Sequence, residues 1–223
     1  MYSNTTATGN SAFGYGALSA NTTGASNVAL GPRTLSANTT GGSNIAVGLS
    51  ALNANLTGSA NVAVGFRTFL NATTTNNNTA VGYMAMQGST VGSLTISGTN
   101  SVAFGYQALN KYIDGSSNTA LGYQAMLNAT TSKNSVAVGY LAGGGASTND
   151  NFQGLVALGY QSGKSLANGS DYNTLIGYQS GYNITTGSNN ILIGAIPTSA
   201  DANITTGTGN IVIGYNVSAT HRD

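Results

Sequence analysis

The chain has 223 residues, and only 5% of them carry charge, against roughly a quarter in an ordinary soluble domain. Six Lys and Arg against five acids give a net charge of +1 without a basic stripe, which argues against phosphate-backbone binding, and no apolar run reaches the roughly 18 residues of a membrane span. There is no cysteine for a disulfide framework, and the 40% of hydrophobic residues are spaced too regularly for a disordered tract.

The first six residues, Met1-Tyr2-Ser3-Asn4-Thr5-Thr6, have neither the basic nor the apolar region of a secretory leader. A short core of the form Asn-x-Ala-apolar-Gly then begins and recurs to the end. Its first glycine is Gly14, and Gly31, Gly48, Gly65 and Gly82 follow at intervals of 17. An enlarged unit holding Gln87-Gly88-Ser89-Thr90-Val91-Gly92 delays Gly105 to 23 residues; Gly122 and Gly139 return to 17. A unit holding Asn149-Asp150-Asn151-Phe152 puts Gly159 at 20, Gly177 and Gly194 follow at 18 and 17, and Gly214 comes 20 later, after Pro197-Thr198-Ser199-Ala200-Asp201. Twelve occurrences at one dominant period mark a solenoid. The chain, 1–223, reads as a single repeat array of the kind that forms a segment of a longer fibre, with longer loops at 83–104, 140–158 and 195–213.

Each unit repeats the same columns. The residue before the glycine is always large and apolar, from Phe13, Leu30 and Val47 to Ile213. The next one back is Ala from Ala12 to Ala157, then Leu175, Leu192 and Val212, and the third is mostly Val or Ile. Such runs predict strands, and pleating makes both of their faces apolar. One face closes the coil's own core; the small Ala column predicts that the other packs against copies of the same chain. Four residues after the glycine, Leu18, Leu35, Leu52, Phe69, Met86, Leu109 and Met126 form a second apolar column that gives way to Gly143, Gly163 and Gly181. Turn residues such as Asn21-Thr22-Thr23-Gly24 follow. Each unit therefore reads strand, corner, short strand, turn. The expected fold is an all-β repeat solenoid, a β-roll or parallel β-helix of about twelve coils, in a homotrimeric fibre. At about 4.8 Å per coil it would form a rod of roughly 55–60 Å.

The units Asn118-Thr119-Ala120-Leu121-Gly122-Tyr123-Gln124-Ala125, Asn27-Val28-Ala29-Leu30-Gly31 and Asn134-Ser135-Val136-Ala137-Val138-Gly139 resemble the repeat region of bacteriophage and large-virus tail fibres. They are also similar to the head repeats of trimeric autotransporter adhesins. The resemblance covers nearly the whole chain. It implies a trimer of β-rolls or parallel β-helices, attachment to a cell surface, and a place in a virion tail fibre or on the extracellular cell surface. Its expected partners are two more copies, a glycan or protein of the target cell, and other fibre or tail subunits, with neither nucleic acid nor membrane insertion.

Little in the sequence points to catalysis. Asp114, Asp150, Asp171, Asp201 and Asp223 are scattered without the pairing a glycosidase needs, and His221 is the single histidine. No metal-ligand spacing occurs and no cofactor is expected. The column after the glycine is richer, with Tyr83, Tyr106, Tyr123, Tyr140, Tyr160 and Tyr178 beside Tyr15, Tyr215 and Phe66. It reads either as a stack sealing a coil corner or as a ladder for sugar rings. With Asn149, Asp150 and Phe152 of the second long loop, these six tyrosines are the candidate glycan contacts. The sequons at Asn21, Asn38, Asn55 and Asn128 recur with the turn and read as turn residues. Two other functions fit a solenoid: ice binding through Thr ladders, and polysaccharide cleavage by a tail spike.

Overall fold

The structure, a computed structural model, describes residues 3–88, 96–145, 150–195 and 204–215. The inserted residues Ser89–Gly92, Asn149 and Pro197–Asp201, together with His221, lie outside them. Among the described residues, twelve three-residue strands form one parallel sheet in sequence order. They are β1 (Ser11–Phe13), β2 (Val28–Leu30), β3 (Ile45–Val47), β4 (Val62–Val64), β5 (Thr79–Val81) and β6 (Val102–Phe104), then β7 (Thr119–Leu121), β8 (Val136–Val138), β9 (Val156–Leu158), β10 (Thr174–Ile176), β11 (Ile191–Ile193) and β12 (Ile211–Ile213). Strand pairing is in register throughout: Ala29 faces Ala46, Ala46 faces Ala63, and Leu175 faces Leu192. The chain is thus a β-solenoid in which twelve strands bound eleven turns.

The sheet is one side of each coil, and hydrogen bonds also join coils along the others. Leu35 N donates to Ala51 O at 3.1 Å, Ala37 N to Asn53 O at 3.1 Å and Thr39 N to Leu56 O at 2.9 Å. Beyond β1–β12, the described residues contribute only isolated bridges, such as Ser116 with Lys133. The short second strand expected around Leu18, Leu35 and Leu52 is instead a left-handed corner. Leu35, Phe69 and Met126 have φ of 47°, 54° and 52°. Gly143, Gly163 and Gly181 continue that corner with φ of 55°, 61° and 64°, so the change from Leu to Gly keeps the backbone and gives up a side chain. Leu166 and Leu175 close on Gly163, and Leu175 and Ile184 on Gly181, where coils one to seven use the corner's own large residue.

The Ala column packs differently from the sequence expectation. Ala29, Ala46, Ala63, Ala80, Ala103, Ala120, Ala137 and Ala157 are fully buried in the coil's own core, opposite the corner residues. A coil this narrow holds Leu, Met or Phe on one wall only if the facing wall is small. The expectation that Ala packs against another chain is therefore corrected. The side chains that leave the coil are the two large ones flanking each Ala.

The motif glycine makes the sharp exit from each strand. Gly122 has φ of 134°, and a Cβ there would lie 2.5 Å from the carbonyl oxygen of Gly139 in the next coil. A side chain is excluded both by φ and by the approach of a neighbouring backbone.

Buried asparagines hold the remaining corner. Asn44 Nδ2 donates to Asn27 Oδ1 at 3.1 Å and to Gly58 O at 2.8 Å, and Asn44 N donates to Asn27 Oδ1 at 2.9 Å. Asn61 repeats this on Asn44, and Asn190 on Asn173. A second ladder runs Asn21–Asn38–Asn55, with Nδ2 to Oδ1 distances of 2.7 Å. These three are fully buried, so in the folded chain the sequons at Asn21, Asn38 and Asn55 present no side chain for glycosylation.

Candidate functional site

Two surfaces follow from this architecture. The first is the outer face of the sheet. With Ala turned inward, Val28 and Leu30, Ile45 and Val47, Val102 and Phe104, and Ile191 and Ile193 point outward, and the pattern holds at every strand from β2 to β12. Leu121 is 45% exposed and Phe104 51%. No charged residue occurs in any of the twelve strands. Soluble monomers rarely leave a contiguous apolar surface of this kind open.

The second surface runs alongside it. Phe66, Tyr83, Tyr106, Tyr123, Tyr140, Tyr160 and Tyr178 form one unbroken stack, with ring centroids 4.9–5.2 Å apart and interplanar angles of 4–15°. Near-parallel planes at that separation are offset stacks. The in-register sheet fixes them, because each Tyr follows the motif glycine and inherits the coil spacing. Each inner ring turns its two faces to its neighbours. What remains for solvent is ring edge and hydroxyl: Tyr123 is 42% exposed, and among the described residues no ladder hydroxyl bonds to protein. The six tyrosines named from the sequence are thus brought together, in a form that offers a row of phenol groups rather than open ring faces for sugars. Tyr15 and Tyr215 stand outside the stack.

Beside the ladder runs a shorter polar one. Gln124 Nε2 donates to Gln107 Oε1 at 2.7 Å, and Gln179 Nε2 to Gln161 Oε1 at 3.0 Å. Sequence reading did not single these out, although all four stand two residues after a motif glycine.

The second long loop contributes differently from expectation. Phe152 and Asp150 are both fully buried, Phe152 in the coil core and Asp150 at a bridge to Ala129, so neither is placed to touch a glycan. Asn149 lies outside the described residues. Among those residues no group of three or more His, Cys, Asp and Glu side chains gathers to hold a metal ion. Among the described residues one tyrosine is buried: Tyr112, whose hydroxyl donates to Gly115 O at 2.6 Å and lies 3.0 Å from Ser101 Oγ. Burial pushes its ionisation well above the ordinary value, with Asp114 adding to the rise and the Ser101 contact opposing it.

Comparison with protein-family models, curated proteins and solved structures finds no match to this chain.

Proposed function

We propose that the chain is one strand of a homotrimeric attachment fibre, of the tail-fibre or adhesin type, in which three rods pack their outer sheet faces about a common axis. The observation that carries this reading is the uncharged, largely apolar outer face, continuous from β2 to β12. A face of this length left in water would drive aggregation. A symmetric closed assembly covers it, and a trimer covers it with each copy equivalent. The fibre acts as a stiff spacer on the outside of a virion or cell. It presents repeated weak contacts to target-cell glycans or proteins, whose effect multiplies through avidity. The ladder hydroxyls of Tyr83 to Tyr178 are the repeated contacts on this view, and other fibre subunits join at the ends.

Ice binding is less well supported, because the outward columns hold Thr only at Thr79, Thr119 and Thr174, separated by Val, Leu and Ile. A hydrolytic spike would need carboxylates facing one another at the surface; of the described acids, Asp150 is fully buried, and Asp114 and Asp171 stand three coils apart.

Native mass in solution tests the reading. Three chains of 22.2 kDa would give about 67 kDa. That mass, with binding of the intact rod to target cells, is the expected result. A monodisperse 22.2 kDa species at micromolar concentration would sink the trimer.

A further inference from the structure

The first three coils carry a surface feature that the ring stack does not reach. After the motif glycine stand Tyr15, Pro32 and Leu49, so no stack forms, and Tyr15 is 81% exposed. Two residues after the glycine are Gly16 and Arg33; five after it are Ser19, Ser36 and Asn53. The next three coils put Arg67, Met84 and Gln107 in the first of these rows and Leu70, Gln87 and Asn110 in the second. The small Gly16, Ser19 and Ser36 leave a groove of about 500 Å³, lined by them with Tyr15, Arg33 and Asn53. Small-ligand sites occupy roughly 300–1,000 Å³.

The groove's framework is fixed by hydrogen bonds. Asn53 Nδ2 donates to Arg33 O at 2.9 Å and to Ser36 Oγ at 2.7 Å. Ser19 Oγ donates to Ser36 O at 3.1 Å, and Arg33 N to Tyr15 O at 2.8 Å. The Arg33 backbone, in a left-handed conformation at φ 56°, is thereby held at both its N–H and its C=O. Its guanidinium has no such engagement. Arg67, two coils on, lies 5.3 Å over the Phe66 ring, whereas among the described residues no ring or carboxylate takes up Arg33. The described acids begin at Asp114, in a much later coil. An open aromatic side chain, a free planar cation with paired donors, and hydroxyl and amide oxygens along one wall form the complement of a ring ligand that bears a carboxylate.

We propose that the groove over the first three coils binds an acidic sugar. The sugar ring lies against Tyr15, its carboxylate on the Arg33 guanidinium, and its hydroxyls on Ser36 and the Asn53 side-chain oxygen. A role for this site in attachment rests on the fibre reading above; the binding itself does not. Neutral sugars leave Arg33 without its partner and bind more weakly.

Saturation-transfer NMR on the whole chain tests this, with N-acetylneuraminic acid and glucuronic acid as probes and galactose and N-acetylglucosamine as neutral controls. The expected result is transfer to the two acids alone. Arg33→Gln and Tyr15→Ala each weaken binding by about fivefold or more, Arg67→Gln leaves it unchanged, and raising salt from about 50 to about 500 mM weakens it. Circular dichroism of each variant checks that the solenoid is intact. No transfer from either acid, or transfer that survives Arg33→Gln, would overturn the proposal. Cell adhesion that persists in Arg33→Gln while the acids fail to bind overturns the groove and leaves the fibre standing. Arg33-dependent acid binding by a monomeric, non-adherent rod upholds the groove and removes the fibre.

Discussion

Tyr112 stands where earlier coils have Asn21, Asn38 and Asn55, and it reproduces their bond with different chemistry. Each asparagine donates to the carbonyl three residues on, as Asn38 does to Gly41 O at 2.9 Å, and the Tyr112 hydroxyl donates to Gly115 O. Ser101, in the row of Asn44 and Asn61, is short enough to admit the ring. Tyr112→Phe is expected to cost about 1–2 kcal/mol, read from denaturant midpoints, because it strands a buried carbonyl without moving the ring. The pH dependence follows from the same burial. The fold keeps the phenol protonated above its ordinary value of 10.0. Its contribution is therefore complete below about pH 10 and is lost as pH rises further, because the unfolded chain releases a proton that the folded chain retains. Midpoints at about pH 8 and about pH 11 should diverge in the parent and converge in Tyr112→Phe, once ionisation of the other tyrosines is common to both. A second residue-scale prediction concerns Gly122. Gly122→Ala places a methyl against Gly139 O at φ 134°, and a loss of about 3 kcal/mol or more is expected by thermal melting.

Within a coil, residues three apart at the second corner are matched in size. Asn21, Asn38, Asn55, Tyr112, Ile184 and Ile204 are each followed at that distance by Gly, whereas Ala72 and Ala129 are followed by Thr75 and Ser132. The reason is steric: a Cβ on Gly41 would meet Asn38 Oδ1 at 2.5 Å, and one on Gly115 would meet the Tyr112 ring at 2.9 Å. Where the chain changes from Asn55–Gly58 to Ala72–Thr75 the ladder ends, and Asn55 Oδ1 is left buried without a partner, as is Thr75 Oγ1. Ala72→Asn alone should destabilise by about 1–3 kcal/mol, since Thr75 fills the space. Ala72→Asn with Thr75→Gly should recover that loss and extend the ladder by one step. A double-mutant cycle with coupling below about 0.5 kcal/mol would count against the matched pair.

The same pairs show what the sequence makes legible. All twelve strands fall on the columns read from the repeat, because a period of 17 with Ala, a large apolar residue and Gly in fixed places leaves little freedom of register. Pleating says that Ala12 and Phe13 face opposite ways, but not which face is inside; that depends on the narrow coil, where the corner residues Leu35 and Phe69 need Ala opposite. The corner's left-handed backbone had one visible sign, the change from Met126 to Gly143. Its carriers are otherwise Leu, Phe and Met, residues that avoid this conformation unless burial outweighs a cost of about 1–2 kcal/mol. None of the described non-glycine residues with positive φ is β-branched, although Val and Ile fill the strands. The Tyr stack follows from a column of identical residues in register. The burial of Asp150 and Phe152 does not, because an insertion shifts residues between columns by an amount that the spacing alone leaves open.

At the scale of the whole molecule, the outer face decides solution behaviour. Val136→Lys with Val138→Lys puts two cations in the middle of that face without touching the coil core. The expected outcome is a fall in native mass from about 67 kDa towards 22.2 kDa with unchanged circular dichroism. Retention of the larger mass would mean that the copies meet elsewhere. The low charge of the chain also means that assembly should depend little on ionic strength, in contrast to sugar binding at Arg33.

The in-register stacking of β1–β12 makes length a countable property. Every coil offers the next one the same row of N–H and C=O groups, the same glycine and the same Ala-lined wall. A duplication of 17 codons therefore adds a finished storey without disturbing those already built, and lengthens the rod by about 4.8 Å. A gene of this kind works as a ruler, and reach can be adjusted by unequal recombination between near-identical units while each coil's fold stays constant.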